Sequence, residues 1–247
     1  MSSLHREVMR VLLGDITGGA FAEGDRLPSL TELAAQFGVS TGVIRECQRA
    51  LAERGVVSVR HGRRAIVTPE EDWDVFDPEV LTALVGGNRA AHVLGEYLES
   101  RRVLEVEAAG LAAERATPVA VQRLSSAFDA MRTAAERART NPAAEPLYQQ
   151  ADIDFHRAII RAAGNRPLAR MAEPIHSALT ATFAALARPQ TRFERGLPEH
   201  ARILDAIVSG DSAAARLAMR EHLVTVEGYL HERTAAAERD GGAAVGG

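Results

Sequence analysis

The chain has 247 residues, of which 46% are hydrophobic, enough for one large domain or two modest ones with buried cores. Its formal net charge is −4, which argues against a protein that coats nucleic acid along its whole surface. The single cysteine, Cys47, excludes an intrachain disulfide and favours a reducing compartment. Residues 1 to 20 contain no apolar run long enough for a signal peptide or a membrane span, so we expect a cytoplasmic protein with no membrane partner.

The first three predicted helices are defined by apolar spacing and by end signals. An N-terminal amphipathic helix is predicted from the spacing of Leu4, Val8, Val11, Leu12 and Ile16. Ser29 and Glu32 have the spacing of a capping box at the start of a second helix, which Gly38 can end. Ser40 can cap a third helix that runs to about Arg54 and buries Cys47.

A basic hairpin is predicted directly after the third helix. Residues 56–59 and 65–67 have the composition of short strands, and the segment between them reads RHGRR at 60–64. Between Arg54 and Pro69 there are four arginines and no acid, so the positive charge is local. Two helices, a tight turn and a basic hairpin in this order predict a winged helix-turn-helix over residues 1–68. The alternative is a small structural hairpin of helices followed by a solvated charged turn.

A winged helix-turn-helix predicts which residues meet DNA, because the N-terminal half of its second helix enters the major groove. Thr41, Gly42 and Arg45 are therefore the candidates to touch base edges. Arg45 is the strongest, since a guanidinium can bond a guanine through two hydrogen bonds, which are worth roughly 1–3 kcal/mol of discrimination. The other DNA-binding candidates surround this helix or lie in the wing: Arg26, Ser29, Thr31, Ser40, Arg49, His61, Gly62, Arg63 and Arg64.

The rest of the chain predicts helices only. Residues 69–76 are acidic and non-periodic and are predicted to form a linker, and the Gly- and Ala-rich residues 237–247 a disordered tail. Residues 77–236 are predicted to form an all-helical domain, with helices at 78–85, 90–115, 118–139, 146–163, 167–187, 198–208 and 212–235. The predicted fold class is therefore mostly α: a winged helix-turn-helix and a bundle of about seven helices.

Four side chains in the helical region predict a metal site. Asp152 and His156 are four residues apart and share one helix face, where both can bind one ion. His200 and His222 lie on the apolar sides of two later helices. One such histidine would be read as a hydrogen-bonded core residue, but three with an acid favour a shared metal. His176 either lines the same pocket or lies on an exposed face.

The N-terminal motifs resemble the DNA-binding domain of the GntR family of bacterial transcription regulators. The resemblance rests on GDRLPS at 24–29, ELA at 32–34, VS at 39–40, IRE at 44–46 and the wing glycine Gly62. The family usually has an arginine where Thr31 and Thr41 stand, and often a second wing glycine where Arg64 stands. These departures predict an operator unlike the family's commonest one.

Residues 77–235 resemble the all-helical effector (FCD) domain of the FadR subfamily of GntR regulators. There, an Asp-x-x-x-His pair and two later histidines bind a divalent metal; zinc is the first expectation, with nickel or manganese as alternatives. The histidines that match are 44 and 22 residues apart, near the family's separations. Arg101 matches an arginine thought to meet the effector's carboxylate; the alternative is a surface salt bridge with Glu105. The resemblance implies four metal ligands: Asp152, His156, His200 and His222.

The resemblance implies a regulator that binds double-stranded operator DNA and acts as a repressor. A homodimer is predicted because one short reading helix covers too few base pairs for selectivity. A small organic acid bound at the metal would modulate its operator affinity, and the segment WDVFDPEVL at 73–81 resembles regulators of sugar acids. The alternative function is a helical-bundle metalloenzyme acting on a small organic acid. Against an enzyme, the sequence has no His-Glu-x-x-His motif and no recognisable activated nucleophile.

Overall fold

Ten α-helices and one two-stranded sheet make up the described part of the computed structural model, which confirms the mostly-α prediction. Backbone structure is described for residues 3–86, 90–185 and 192–243, and side chains for residues 4–86, 90–177 and 193–228. The chain divides into two compact units, residues 1–93 and 94–247. None of the described helices combines the length and the apolar character that a membrane crossing needs.

The first unit contains the predicted winged helix-turn-helix. Its elements in chain order are α1 (Ser3–Thr17), α2 (Leu30–Phe37), α3 (Thr41–Glu53), β1 (Val57–Ser58), β2 (Ile66–Val67), a 3-10 turn (Glu70–Asp72) and α4 (Pro78–Val85). The strands are antiparallel, with Val57 opposite Val67, and are shorter than predicted. The face of α1 differs slightly from the prediction, because Leu4 is 54% exposed while Met9 and Leu13 are buried.

Local capping explains where α2 and α3 begin and end. The Ser29 hydroxyl accepts from the Glu32 N–H, and the Glu32 carboxylate accepts from the Ser29 N–H, so the predicted capping box is confirmed. Gly38 ends α2 with a φ of 63°, which costs glycine little. Ser40 caps α3 as predicted. Cys47 is buried in α3, and this burial, followed by the charge of Glu46, raises the pKa of its thiol to about 11.

The predicted linker packs against the first unit. Trp73 is only 8% exposed, and its indole Nε1 donates a hydrogen bond to the Thr68 carbonyl oxygen at 3.2 Å. Helix α4 packs against α1, where the Thr17 hydroxyl donates to the Ala83 carbonyl oxygen at 3.2 Å. The first compact unit therefore extends to residue 93, beyond the predicted boundary at residue 76. The physical reason is that a tryptophan in an acidic segment still has a large apolar surface to bury.

The second unit is a helical bundle. The remaining elements are α5 (Ala90–Arg115), α6 (Pro118–Thr140), a 3-10 turn (Pro142–Ala144), α7 (Glu145–Ala162), α8 (Arg166–Ala185), α9 (Arg192–Val208) and α10 (Ser212–Ala243). One apolar core joins these helices; its members include Val106, Leu124, Phe155, Ala172, Ile203 and Met219. With α4, the described residues beyond the linker contain the seven helices that were predicted.

Two helix boundaries differ from the prediction by more than one residue. Helix α9 begins at Arg192 instead of residue 198, because the added turn buries Phe193 edge-on against Tyr148, with ring centroids 4.6 Å apart. Helix α10 continues to Ala243, so the prediction of a disordered tail from residue 237 is wrong as far as residue 243. Extending an existing helix needs no new nucleus, and residues 235–239 read AAAER, all good helix formers. Residues 244–247 and the predicted end of α8 at 187 lie outside the described residues.

Candidate metal centre and DNA-binding surface

The N-terminal half of α3 presents its predicted base-reading residues to solvent. Thr41, Gly42 and Arg45 are all exposed. Within the described part of the chain, the Arg45 guanidinium has no hydrogen bond or ion pair, so its five N–H donors are free for a nucleic acid.

The other DNA-binding candidates divide into free and engaged side chains. Arg26, Thr31, His61, Gly62 and Arg63 are exposed. Ser29 and Ser40 use their hydroxyls as helix caps. Two arginines are paired on the surface: Arg49 with Glu53 at 3.2 Å, and Arg64 with Glu32 at 3.1 Å. Exposed pairs of this kind are weak, so a phosphate can compete for either arginine.

Three histidines from three helices meet inside the second unit. Helix α7 supplies His156, α9 supplies His200 and α10 supplies His222; all three are buried, and one ring nitrogen of each lies within 4.8 Å of the others. The Nε2 atoms of His156 and His200 are 3.2 Å apart. Asp152, one turn before His156 on α7, places its Oδ1 3.2 Å from the same His200 Nε2. The structure therefore brings together the four residues that the sequence could not show to be near one another.

Each of these histidines is held by a hydrogen bond at its other ring nitrogen. The Nδ1 partners are the Glu105 carboxylate for His156 at 2.5 Å, the Gly196 carbonyl oxygen for His200 at 2.6 Å and the Glu199 carboxylate for His222 at 2.8 Å. A carbonyl or an ionised carboxylate can only accept, so Nδ1 carries the proton. In a neutral ring, Nε2 then carries no proton and has an available lone pair. Such Nδ1 anchoring is how metal-binding histidines are usually oriented.

The protonation of these rings suits a bound cation. Burial lowers the pKa of His156 to about 4, although the Glu105 carboxylate raises it, and burial lowers the pKa of His222 well below its ordinary value, so both rings are neutral at pH 7. The Nε2 atom of His200 lies 3.2 Å from the Asp152 carboxylate and 3.2 Å from the Nε2 atom of His156. The buried Nε2 of His222 has no hydrogen-bond partner among the described residues. Unpaired buried lone pairs are costly, and one positive ion would satisfy all of them.

The geometry and chemistry of these donors fit a divalent metal. Two ligands about 2.0–2.1 Å from one ion in a tetrahedral arrangement are about 3.3 Å apart. The two distances to His200 Nε2, from His156 and from Asp152, are both 3.2 Å. Three imidazole nitrogens and one carboxylate oxygen suit zinc, nickel or manganese.

Comparison with known proteins assigns the chain to a family. A model of the FCD domain matches residues 96–225, and a model of bacterial regulatory proteins of the gntR family matches residues 4–67. The HTH-type transcriptional regulator LutR of Bacillus subtilis is 30% identical over 226 residues, 88% of this chain and 98% of LutR. The chain belongs to the GntR family.

Two further similarities agree with this assignment. The galactonate operon transcriptional repressor of Escherichia coli is 28% identical to this GntR-family chain over 220 residues, 89% of this chain and 93% of the repressor. A solved structure of Lar, which controls the agr system of Listeria monocytogenes, has a TM-score of 0.63 at 18% identity, covers 94% of this chain and 98% of its own, and shows the fold alone. The protein is a DNA-binding transcription regulator and not an enzyme.

The site of this GntR-family regulator contains a residue that the sequence interpretation missed. Glu105 is 1% exposed, and its carboxylate accepts hydrogen bonds from Arg101 Nε at 2.6 Å, His156 Nδ1 at 2.5 Å and His176 Nε2 at 2.7 Å. Burial would raise the pKa of Glu105, but the charge of Arg101 and the hydrogen bonds from His156 and His176 outweigh it and hold that pKa well below its usual value. The four-residue spacing of Arg101 and Glu105 was visible in the sequence, but the pair was considered there only as a salt bridge on the surface.

The structure corrects the location of that pair. Arg101 does bond Glu105, as the alternative interpretation held, but it is 6% exposed and lies in the core beside the candidate metal ligands. His176 is also buried, and it lines a shallow cavity with Arg157 and Glu173. His176 is therefore not on an exposed face, but this cavity is lined by none of the four candidate metal ligands, and a pocket shared with them stays a prediction. A polar core of this kind could be foreseen only if the packing of α5 against α7 and α8 were known.

Proposed function

We propose that this regulator changes its affinity for operator DNA when a small organic acid binds at a divalent metal in the helical unit. The metal would be held by Asp152, His156, His200 and His222, with zinc as first choice and nickel or manganese as alternatives. The observation that carries the proposal is the convergence of one ring nitrogen from each of three buried histidines with the Asp152 carboxylate. Because the protein must reach chromosomal DNA, we place it in the cytoplasm.

The bound metal would supply a Lewis-acidic centre for a carboxylate or hydroxyl oxygen of the acid. The chain would supply a second recognition group, Arg101. Its Nε is held by Glu105, and no other side chain of the described residues bonds its guanidinium. The two terminal amino groups can then form paired hydrogen bonds with a carboxylate. Burial would lower the pKa of Arg101, but the charges of Glu105 and Asp152 raise it, so the guanidinium keeps its charge.

A hydroxy acid of the sugar-acid class is the effector we favour. A relative of this chain is named as the repressor of a galactonate operon, and galactonate is a sugar acid. Such an acid carries a carboxylate for Arg101 and a neighbouring hydroxyl, so it can occupy the arginine and the metal together.

A thermal-shift screen tests this proposal. We expect zinc to raise the melting temperature of chelator-treated protein, and one or more aldonates or hexuronates to raise it further. An acid at 100 times its Kd stabilises the folded state by about 2.7 kcal/mol. The same acids should have no effect after chelation, since the metal forms part of their site. A shift of equal size in metal-free protein would contradict the proposed site.

We also propose that the protein binds its operator as a homodimer, with repression as the expected outcome. One α3 helix reads too few base pairs for selectivity, and two related by a dyad read an inverted repeat. Selection of bound sequences from random DNA should return such a repeat. The threonines at positions 31 and 41 predict that it differs from the family's commonest operator.

Arginines on α3 and in the wing should have different effects on DNA binding. Arg45→Ala should abolish discrimination at one base pair per half-site, a loss of about 1–3 kcal/mol for the preferred base, because its free guanidinium reaches a base edge. Arg63→Ala should weaken all sequences alike and lower the salt slope by about one. Binding titrations against single-base operator variants at several salt concentrations measure both effects.

The matched control for both variants is Arg10→Ala. It removes the same unit of charge from an exposed pair with Glu7 on α1. It should change neither base preference nor salt slope. Equal behaviour of the Arg45 and Arg63 variants would show that Arg45 contacts only phosphate.

A further inference from the structure

Arg54, the residue that ends α3, joins the recognition helix to α4. Its Nε lies 3.0 Å from Asp77 Oδ2 and its Nη2 2.9 Å from Glu79 Oε2, while Nη1 donates to the Ala50 carbonyl oxygen at 3.0 Å. The Arg54 side chain is only 18% exposed. The sequence suggested that Arg54 contributes to the positive field near the wing, but two carboxylates balance its charge.

The linker meets the same end of α3 through the backbone. The Asp74 N–H donates to the Arg54 carbonyl oxygen at 2.8 Å. Gly55 has a φ of 74°, and a Cβ added there would lie 2.0 Å from the Asp72 carbonyl oxygen, so only glycine allows the linker to approach this closely. On the other side, the Trp73 indole is bonded to Thr68 at the end of β2. We call this set of contacts the α3–α4 junction.

Because of the α3–α4 junction, each of the helices α1, α3 and α4 contacts the other two. Helix α1 packs against both α3 and α4, and the Arg54 ion pairs join α3 directly to α4. The contact of Arg54 Nη2 with Glu79 is a charge-assisted hydrogen bond, which is stronger and more directional than a neutral one, and Asp77, whose side chain is 18% exposed, adds an ion pair. The orientation of α3 is thereby tied to the linker and α4 as well as to the wing.

We propose that Arg54 is a positioning residue for operator recognition: it holds the linker and α4 against α3 and so fixes the orientation in which α3 meets its half-site. The inference concerns DNA binding alone and requires neither the metal nor the effector. It differs from an alternative role for Arg54, that of a phosphate ligand restrained by two carboxylates.

The two roles predict opposite signs for one double variant, Asp77→Asn with Glu79→Gln. This variant keeps Arg54 and its bond to Ala50, and an asparagine can still cap α4 through its side-chain oxygen, as Asp77 Oδ1 does. If Arg54 positions α3, the ratio of affinities for the selected operator and for random DNA should fall about 3- to 10-fold, which lies in the lower part of the range of coupling between contacting groups. If Arg54 is a restrained phosphate ligand, its release should tighten binding.

Trp73 reports on the junction directly. It is the only tryptophan in the chain and is buried in the linker, so loosening the junction should shift its fluorescence emission to longer wavelength. The expected result is the shift together with the reduced operator preference and an unchanged salt slope. Glu7→Gln, which removes an exposed carboxylate on α1, is the charge control and should alter neither readout. If the double variant loses helical content, Glu79→Gln alone replaces it in the test, because this single variant leaves the Asp77 cap of α4 unchanged. A ratio of operator affinity to random-DNA affinity that rises or stays unchanged would overturn the proposal. An unchanged Trp73 emission spectrum would overturn it as well.

Discussion

His222→Ala should lower the affinity of the protein for divalent metal by more than about 100-fold, the upper end of the effect expected for a residue that only supports a ligand. The reason is that His222 would supply one of three converging ring nitrogens, and its Nε2 has no other hydrogen-bond partner among the described residues. Competition with a chromophoric chelator measures the change. The response to organic acids should disappear with the metal.

Operator binding by the metal-free His222→Ala protein should stay close to that of the metal-free parent. His222 belongs to the unit of residues 94–247, whereas α3 belongs to the unit of residues 1–93. His92→Ala, a substitution of an exposed histidine on α5, is the matched control and should bind metal normally. If operator binding and helical content fell together with metal affinity, His222 would be a structural core residue.

Glu105→Gln should lower metal affinity about 10- to 100-fold, the usual range when a hydrogen-bond partner of a metal ligand is removed. The carboxylate of Glu105 accepts from three donors, but a glutamine accepts only through its oxygen and presents an NH₂ group instead of the second oxygen. One donor is then left unsatisfied in the core, at about 1–3 kcal/mol. His156 also loses the charge that keeps its proton on Nδ1.

Glu107→Gln provides a close control for Glu105→Gln. Glu107 lies half a turn further along α5 and forms an exposed ion pair with Arg216 at 3.0 Å, so the same chemical change occurs on the same helix outside the core. The metal affinity of the Glu107→Gln variant should equal that of the parent protein. The acid response of Glu105→Gln should fall further than its metal content, because Glu105 also orients Arg101. A metal affinity equal to that of the Glu107 variant would rule out the positioning role of Glu105.

Interactions between residues close in sequence could be predicted correctly. The capping box of Ser29 and Glu32, the stop at Gly38 and the cap at Ser40 each involve groups only a few residues apart, so the sequence alone determines them. The helical periodicity of the second unit is local in the same sense. The sequence also contained the four candidate ligands at informative spacing, but that they would converge was only implied by resemblance.

Only the tertiary structure decided which polar groups share the core. Glu105 meets His156 and His176 across 51 and 71 residues, and no local pattern encodes such pairings. The same holds for Arg54, whose charge looked available to DNA until Asp77 and Glu79 were found beside it. A charged residue has the same identity whether it is solvated, paired or buried, and its environment depends on how distant helices pack. The helices could therefore be predicted from the sequence, whereas the electrostatics of the site could not.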